Sequence, residues 1–158
     1  MPPTSSIRIP ELDAPFIFSR RPVDVPADLR PSWRIGLLIL LLKNCCREGR
    51  ARFTQLHVLN WGVRSEENRQ ALENALNGSV GVDSLLVRIE PSLNRAVDLA
   101  IGEGLVGKRS GDQIELRGSG RSLADEIERD ATLYRTEKEF MQRIRKRVTG
   151  RFINELFS

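Results

Sequence analysis

Seven of the eight prolines stand at positions 2, 3, 10, 15, 22, 26 and 31, and Pro91 is the only other. Each proline lacks a backbone donor and pushes its predecessor toward extended geometry. Residues 1–30 therefore hold no long helix, and the regular structure must be built from residue 31 onward. The first segment is nevertheless apolar, with Ile7, Ile9, Leu12, Phe16, Ile17, Phe18, Val23 and Val25. An extended, proline-punctuated apolar arm has two outlets: its own domain or a partner. Ile7, Ile9, Phe16, Ile17 and Phe18 are its partner-binding candidates.

Beyond the arm the punctuation changes. Pro31-Ser32 opens a helix, since proline suits a first turn. Trp33, Ile35 to Leu42 and Cys45 then make that helix apolar nearly all round, which predicts a central core helix ending at Gly49. The run is far short of the roughly 20 residues a membrane span needs. The N-terminus has no signal-peptide pattern, and the expected compartment is the cytoplasm. The two cysteines are the neighbours Cys45 and Cys46, expected as small buried hydrophobes rather than a redox pair.

A short helix is predicted from Gln55 to Asn60, capped by Thr54 and stopped by Gly62. Another runs from Ser65-Glu66-Glu67 to about Leu76. Residues 85–89, LLVRI, read as a short strand. A helix from Pro91 to Glu103 buries Leu93, Ala96, Val97, Ala100 and Ile101. Leu105 to Arg109, the turn Ser110-Gly111-Asp112 and Gln113 to Arg117 read as a β-hairpin. An acidic-faced helix follows near Ser119 or Ser122. Tyr134 to Phe157 reads as one long amphipathic helix with Phe140, Ile144, Val148, Phe152 and Leu156 spaced by four, bent at most at Thr149-Gly150.

This order predicts a mainly α fold with a small β-hairpin wing: a winged helix-turn-helix domain over 31–130, preceded by the arm at 1–30 and followed by a C-terminal helix over 131–158. Phe152 and Leu156, at the drifting end of the stripe, join the partner-binding candidates. The basic face Arg143 to Arg151 has three possible counterparts: an acidic partner, DNA, or the acidic helix at Asp125 to Asp130.

Chemistry is constrained by scarcity. The 158 residues include one histidine, and the net charge is +4 with a pI of about 9.6. His57 has no Asp, Glu or Cys at ligand spacing, no phosphate-loop glycine pattern occurs, and the carboxylates at 125–130 lie on one helix face. No enzyme, metal or cofactor is expected. Lys108, Arg109, Arg117 and Arg121 form a basic rim on the wing suited to phosphates. The candidate reading helix offers only Asn94 and Arg95 against Asp98 and Glu103. Any duplex DNA contact is therefore expected to be nonspecific.

The segments SWRIGLLILLLKN, TQLHVLNW and VRIEPSLNRAVDLAIGEGLV, followed by GKRSGDQIELRGSGR, resemble the middle components of ABC-three-component systems. That group includes the accessory subunit of Lamassu-type anti-phage defence. The resemblance covers about residues 30–130, and most of it lies in Arg88 and Pro91 linked to Glu103-Gly104-Leu105-Val106. It implies a non-enzymatic subunit that binds an SMC/Rad50-like ATPase and couples it to an effector such as a nuclease. The competing expectation is a homodimeric winged-helix transcriptional regulator that dimerises through the C-terminal helix.

Overall fold

In the computed structural model, residues 30–158 are described. The arm and its candidates Ile7, Ile9, Phe16, Ile17 and Phe18 lie outside the described residues. The described chain is mainly helical with one small antiparallel sheet, in the order α1 (Pro31–Cys45), β1 (Arg50–Arg52), α2 (Phe53–Val63), α3 (Glu66–Leu76), α4 (Pro91–Gly102), β2 (Val106–Lys108), β3 (Gln113–Leu116), α5 (Gly118–Arg129), α6 (Arg135–Ile144) and α7 (Gly150–Leu156).

Helix α1 is the axle. Leu37 to Leu42 and Cys45 are buried, because α2, α4, α5 and α6 all pack against it. An all-round apolar helix has no solvent face to offer, and burying each Leu or Ile is worth about 1.5–3 kcal/mol. It stops at Cys45, earlier than the expected Gly49. Glu48 and Gly49 adopt φ of 56° and 67°, a left-handed turn that swings the chain into β1.

The hairpin forms as read, with β2 and β3 paired and Arg109 N–H bonded to the Gln113 carbonyl at 2.9 Å. The third strand is a correction. Residues 85–89 form no strand. Strand β1 fills that place, pairing Arg50 with Glu115 and Ala51 with Ile114, so the sheet order is β1-β3-β2. Arg-Ala-Arg carries no strand signal of its own. The free edge of β3 selects it, and only Ala51 is buried there.

Helix α2 also differs from expectation. It starts at Phe53, so Thr54 lies inside it rather than capping it, and it runs through Gly62 to Val63. Gly62 is a contact residue, not a stop. A Cβ there would lie 2.5 Å from Leu72 Cδ2, so α2 and α3 approach across it. Ser65 caps α3 as expected, accepting from the Asn68 N–H at 3.1 Å.

The single C-terminal helix is a second correction. Two helices stand there, broken over Arg145–Thr149. Arg145 has φ 47° and ψ −133°, and Thr149 caps α7 by accepting from the Phe152 N–H at 3.2 Å. The reason is burial. Phe140, Ile144 and Val148 are all 0% exposed and Phe152 only 8%. A straight helix drifts about 40° for each step of four residues, so it could not keep all four on one core face. The break re-aims the second half.

Candidate functional site

Antiparallel pairing puts register partners on the same face and alternates faces along each strand. One face of the sheet carries Ala51, Ile114 and Leu116 into the core. The other carries Arg50, Arg52, Gln113, Glu115 and Gly107. Arg109 belongs to this outer face, since its guanidinium donates to Glu115 at 3.1 Å, and Arg50 donates to the same carboxylate at 3.2 Å.

Arg117 reaches the same face by another route. Its guanidinium lies across β2 where Gly107 has no side chain. A Cβ at Gly107 would sit 2.3 Å from Arg117 Nη2. Gly107 is therefore the slot that lets Arg117 lie over the sheet.

Two of these cations, Arg50 and Arg109, share the Glu115 carboxylate, and Arg52 and Arg117 stand on the same face of the sheet. Desolvation alone would raise the Glu115 carboxyl, but its bonds to Arg50 and Arg109 hold it below its ordinary range. It stays an anion and orders the two guanidinium groups. Glu48 takes a further bond from Arg50 at 3.1 Å.

The four wing candidates do not form one patch. Arg109 and Arg117 share the outer face. Lys108 is opposite Ile114, so it points toward the other side and is exposed at the strand end. Arg121, on α5, lies beside the Gly49 turn. Arg50 and Arg52 were not anticipated, because their strand was not. Only the β1–β3 register reveals them.

The candidate reading helix is poorly equipped. Leu93, Ala96, Val97 and Ala100 bury its inner face as expected. Asn94 is engaged with His57, whose imidazole is depressed by burial despite that hydrogen bond and the nearby Glu90. His57 is 6% exposed, packs its ring 5.5 Å from that of Phe53, and its Nδ1 has no hydrogen-bond partner among the described residues. Among the described residues, no group of three His, Cys, Asp or Glu is placed to hold a metal ion.

The partner-binding candidates of the C-terminus face inward. Phe152 belongs to the core cluster, and Leu156 is half-buried against it. Two residues of the basic face bond at α3 and its C-terminal end: Arg143 donates to Glu73 at 2.7 Å and Arg147 to Asn77 at 2.8 Å. The acidic helix α5 is pinned elsewhere, with Asp125 and Glu128 both bonded to Lys43 of α1. Burial would depress the Lys43 ammonium, but these two carboxylates hold it above its ordinary value.

Compared with family models, with curated proteins and with solved structures, the chain matches none. Among the described residues, no helix is long and apolar enough to cross a membrane.

Proposed function

We propose that the chain is a winged-helix module acting as a non-enzymatic adaptor: a cytoplasmic subunit that binds an SMC-like ATPase and couples it to an effector nuclease in bacterial defence against phage or plasmids. The observation that carries the winged-helix reading is the sheet order. A helix, a short strand, two helices, a further helix and a hairpin follow in turn, and the early strand pairs with the second strand of the hairpin, which becomes the middle of the sheet. The adaptor role rests on the resemblance over residues 30–130 and on the apolar arm.

The regulator alternative needs a dimerisation stripe, and Phe140, Ile144, Val148 and Phe152 are already buried in the chain's own core. A second activity has its own observation. The outer sheet face gathers Arg50, Arg52, Arg109 and Arg117, a cluster of cations that suits the phosphates of a duplex read without regard to sequence.

Two experiments test these readings. Phe16, Ile17 and Phe18 changed together to Ser should abolish co-purification with an SMC-like ATPase encoded beside this chain, while the circular dichroism stays unchanged. Retained co-purification removes the arm from that contact. For the second, fluorescent duplexes of unrelated sequence should bind alike and weaken steeply with salt. A strong preference for one duplex at moderate salt would favour the regulator.

A further inference from the structure

A cleft of about 350 Å³ opens where the end of β1 and the hairpin turn meet α2 and α7, bounded by Arg52, Thr54, Asp112, Ile153, Asn154 and Phe157. Its walls are tied together. The Phe53 N–H donates to the Asp112 carbonyl at 3.2 Å, joining the hairpin turn to the start of α2. Gln55 donates its side-chain amide to the Val148 carbonyl at 2.8 Å, joining α2 to the break before α7. Ile153 is the buried apolar member of the lining, and Phe157 is 51% exposed.

The polar members of the lining are uncommitted. Arg52, Thr54, Asp112 and Asn154 are exposed, and among the described residues their side chains make no hydrogen bond or ion pair. Arg50 and Arg109, by contrast, are engaged with Glu115. Arg52 also stands on the outer sheet face, opposite Gln113 in the register, so the cleft continues the arginine face. A guanidinium, an exposed aromatic ring and short hydrogen-bonding side chains around one small cavity match the three parts of a nucleotide: phosphate, base plane and base edge. Ligand sites run from roughly 300 to 1,000 Å³, and this cleft, at the small end, takes one nucleotide rather than a run of them.

We propose that this cleft receives a single unpaired nucleotide from a strand whose neighbouring phosphates lie on the arginine face. Its phosphate meets Arg52, its base lies against Phe157 and Ile153, and its edge bonds to Asp112 and Asn154. The Asp112 carboxylate repels phosphate and accepts from base amino groups, which fixes the direction of the nucleotide between it and Arg52. Base–aromatic stacking tolerates any sequence, in keeping with a face that reads phosphates alone. The inference rests on the duplex-phosphate reading above and adds to it a preference for a base out of the stack, which a fully paired duplex does not offer.

The test measures binding of the full-length protein to two fluorescent duplexes of the same sequence, one fully paired and one carrying a single-nucleotide bulge. The bulged duplex should bind at least about fivefold tighter, the low end of what one stacked base contributes. Phe157→Ala should bring the two affinities together, whereas Phe157→Tyr, which keeps a ring, should preserve the preference. Arg109→Ala, outside the cleft lining, should weaken both duplexes alike and leave their ratio in place. Equal affinities in the wild-type protein, or a preference that survives Phe157→Ala, overturns the proposal while the phosphate reading stands. Failure to bind either duplex overturns both, so the two failures are told apart.

Discussion

Helix α1 and the α6–α7 pair carry comparable apolar loads and end in opposite shapes. Leu37 to Leu42 sit in one unbroken helix, whereas Phe140 to Phe152 are divided between two. The difference lies in where the neighbours are. Helix α1 is surrounded, so any direction its side chains take is a buried one and a regular 3.6-residue twist costs nothing. The C-terminal stretch lies over one side of the core. Only one direction is buried, and the backbone breaks at Arg145 to hold it. Apolar content decides how much is buried; the geometry of the surroundings decides whether the helix stays whole.

The largest expected effect probes whether the two regions are equally part of the core. Phe140→Ala should cost about 3–5 kcal/mol and Leu40→Ala about 2–5 kcal/mol in denaturant unfolding. A near-zero cost at Phe140 would return the C-terminal stripe to the surface and break the comparison.

Next comes the contact that ties the regions together. Gly36→Ala should destabilise by about 1–3 kcal/mol, because the added methyl meets the Tyr134 hydroxyl. Tyr134→Phe removes that oxygen, so the double variant should lose less than the sum of the two singles. Strict additivity would mean that the two residues are not in contact.

The break between α6 and α7 gives a pair of opposite signs. Thr149→Ala deletes the cap and should cost about 1 kcal/mol. Arg145→Gly should stabilise by about 1 kcal/mol, since glycine adopts φ 47° without strain. If both destabilise alike, the break is not where the backbone tension lies.

The smallest effect is a pH response of the α1–α6 contact. Burial raises the Tyr134 phenol from its ordinary 10 to about 12. A raised value in the folded state means that the native chain holds the proton more tightly. The stabilisation is therefore complete below pH 10 and is lost as pH climbs through 10 to 12. Unfolding midpoints should fall in that window, and less steeply in Tyr134→Phe. An identical fall in both would assign the loss to other groups.

The sheet face is open to a matching test. Glu115→Gln frees Arg50 and Arg109 from their shared carboxylate. Duplex binding should tighten and its salt dependence steepen, because each added phosphate contact contributes about −0.9 to the slope. Unchanged binding would place any duplex contact off this face.

Where a residue's own chemistry settled its place, the sequence sufficed. The density of apolar residues over 35–42 makes α1 central in any compact arrangement. Ser65 followed by two glutamates starts α3, and the alternation of Ile114 and Leu116 across a Gly-Asp turn makes the hairpin, because caps, turns and period-two patterns are local interactions. The rest depended on neighbours distant in the chain. Arg-Ala-Arg at 50–52 is a strand because β3 has an open edge, and LLVRI at 85–89 is not one because that edge is already taken. Gly62 carries α2 onward instead of ending it, since Leu72 fills the space beside it. Arg50 and Arg52 join Arg109 and Arg117 only through the register of β1 on β3. A hydrogen-bond edge, a packing gap and a curved core face belong to pairs of segments, and no single stretch of sequence contains them.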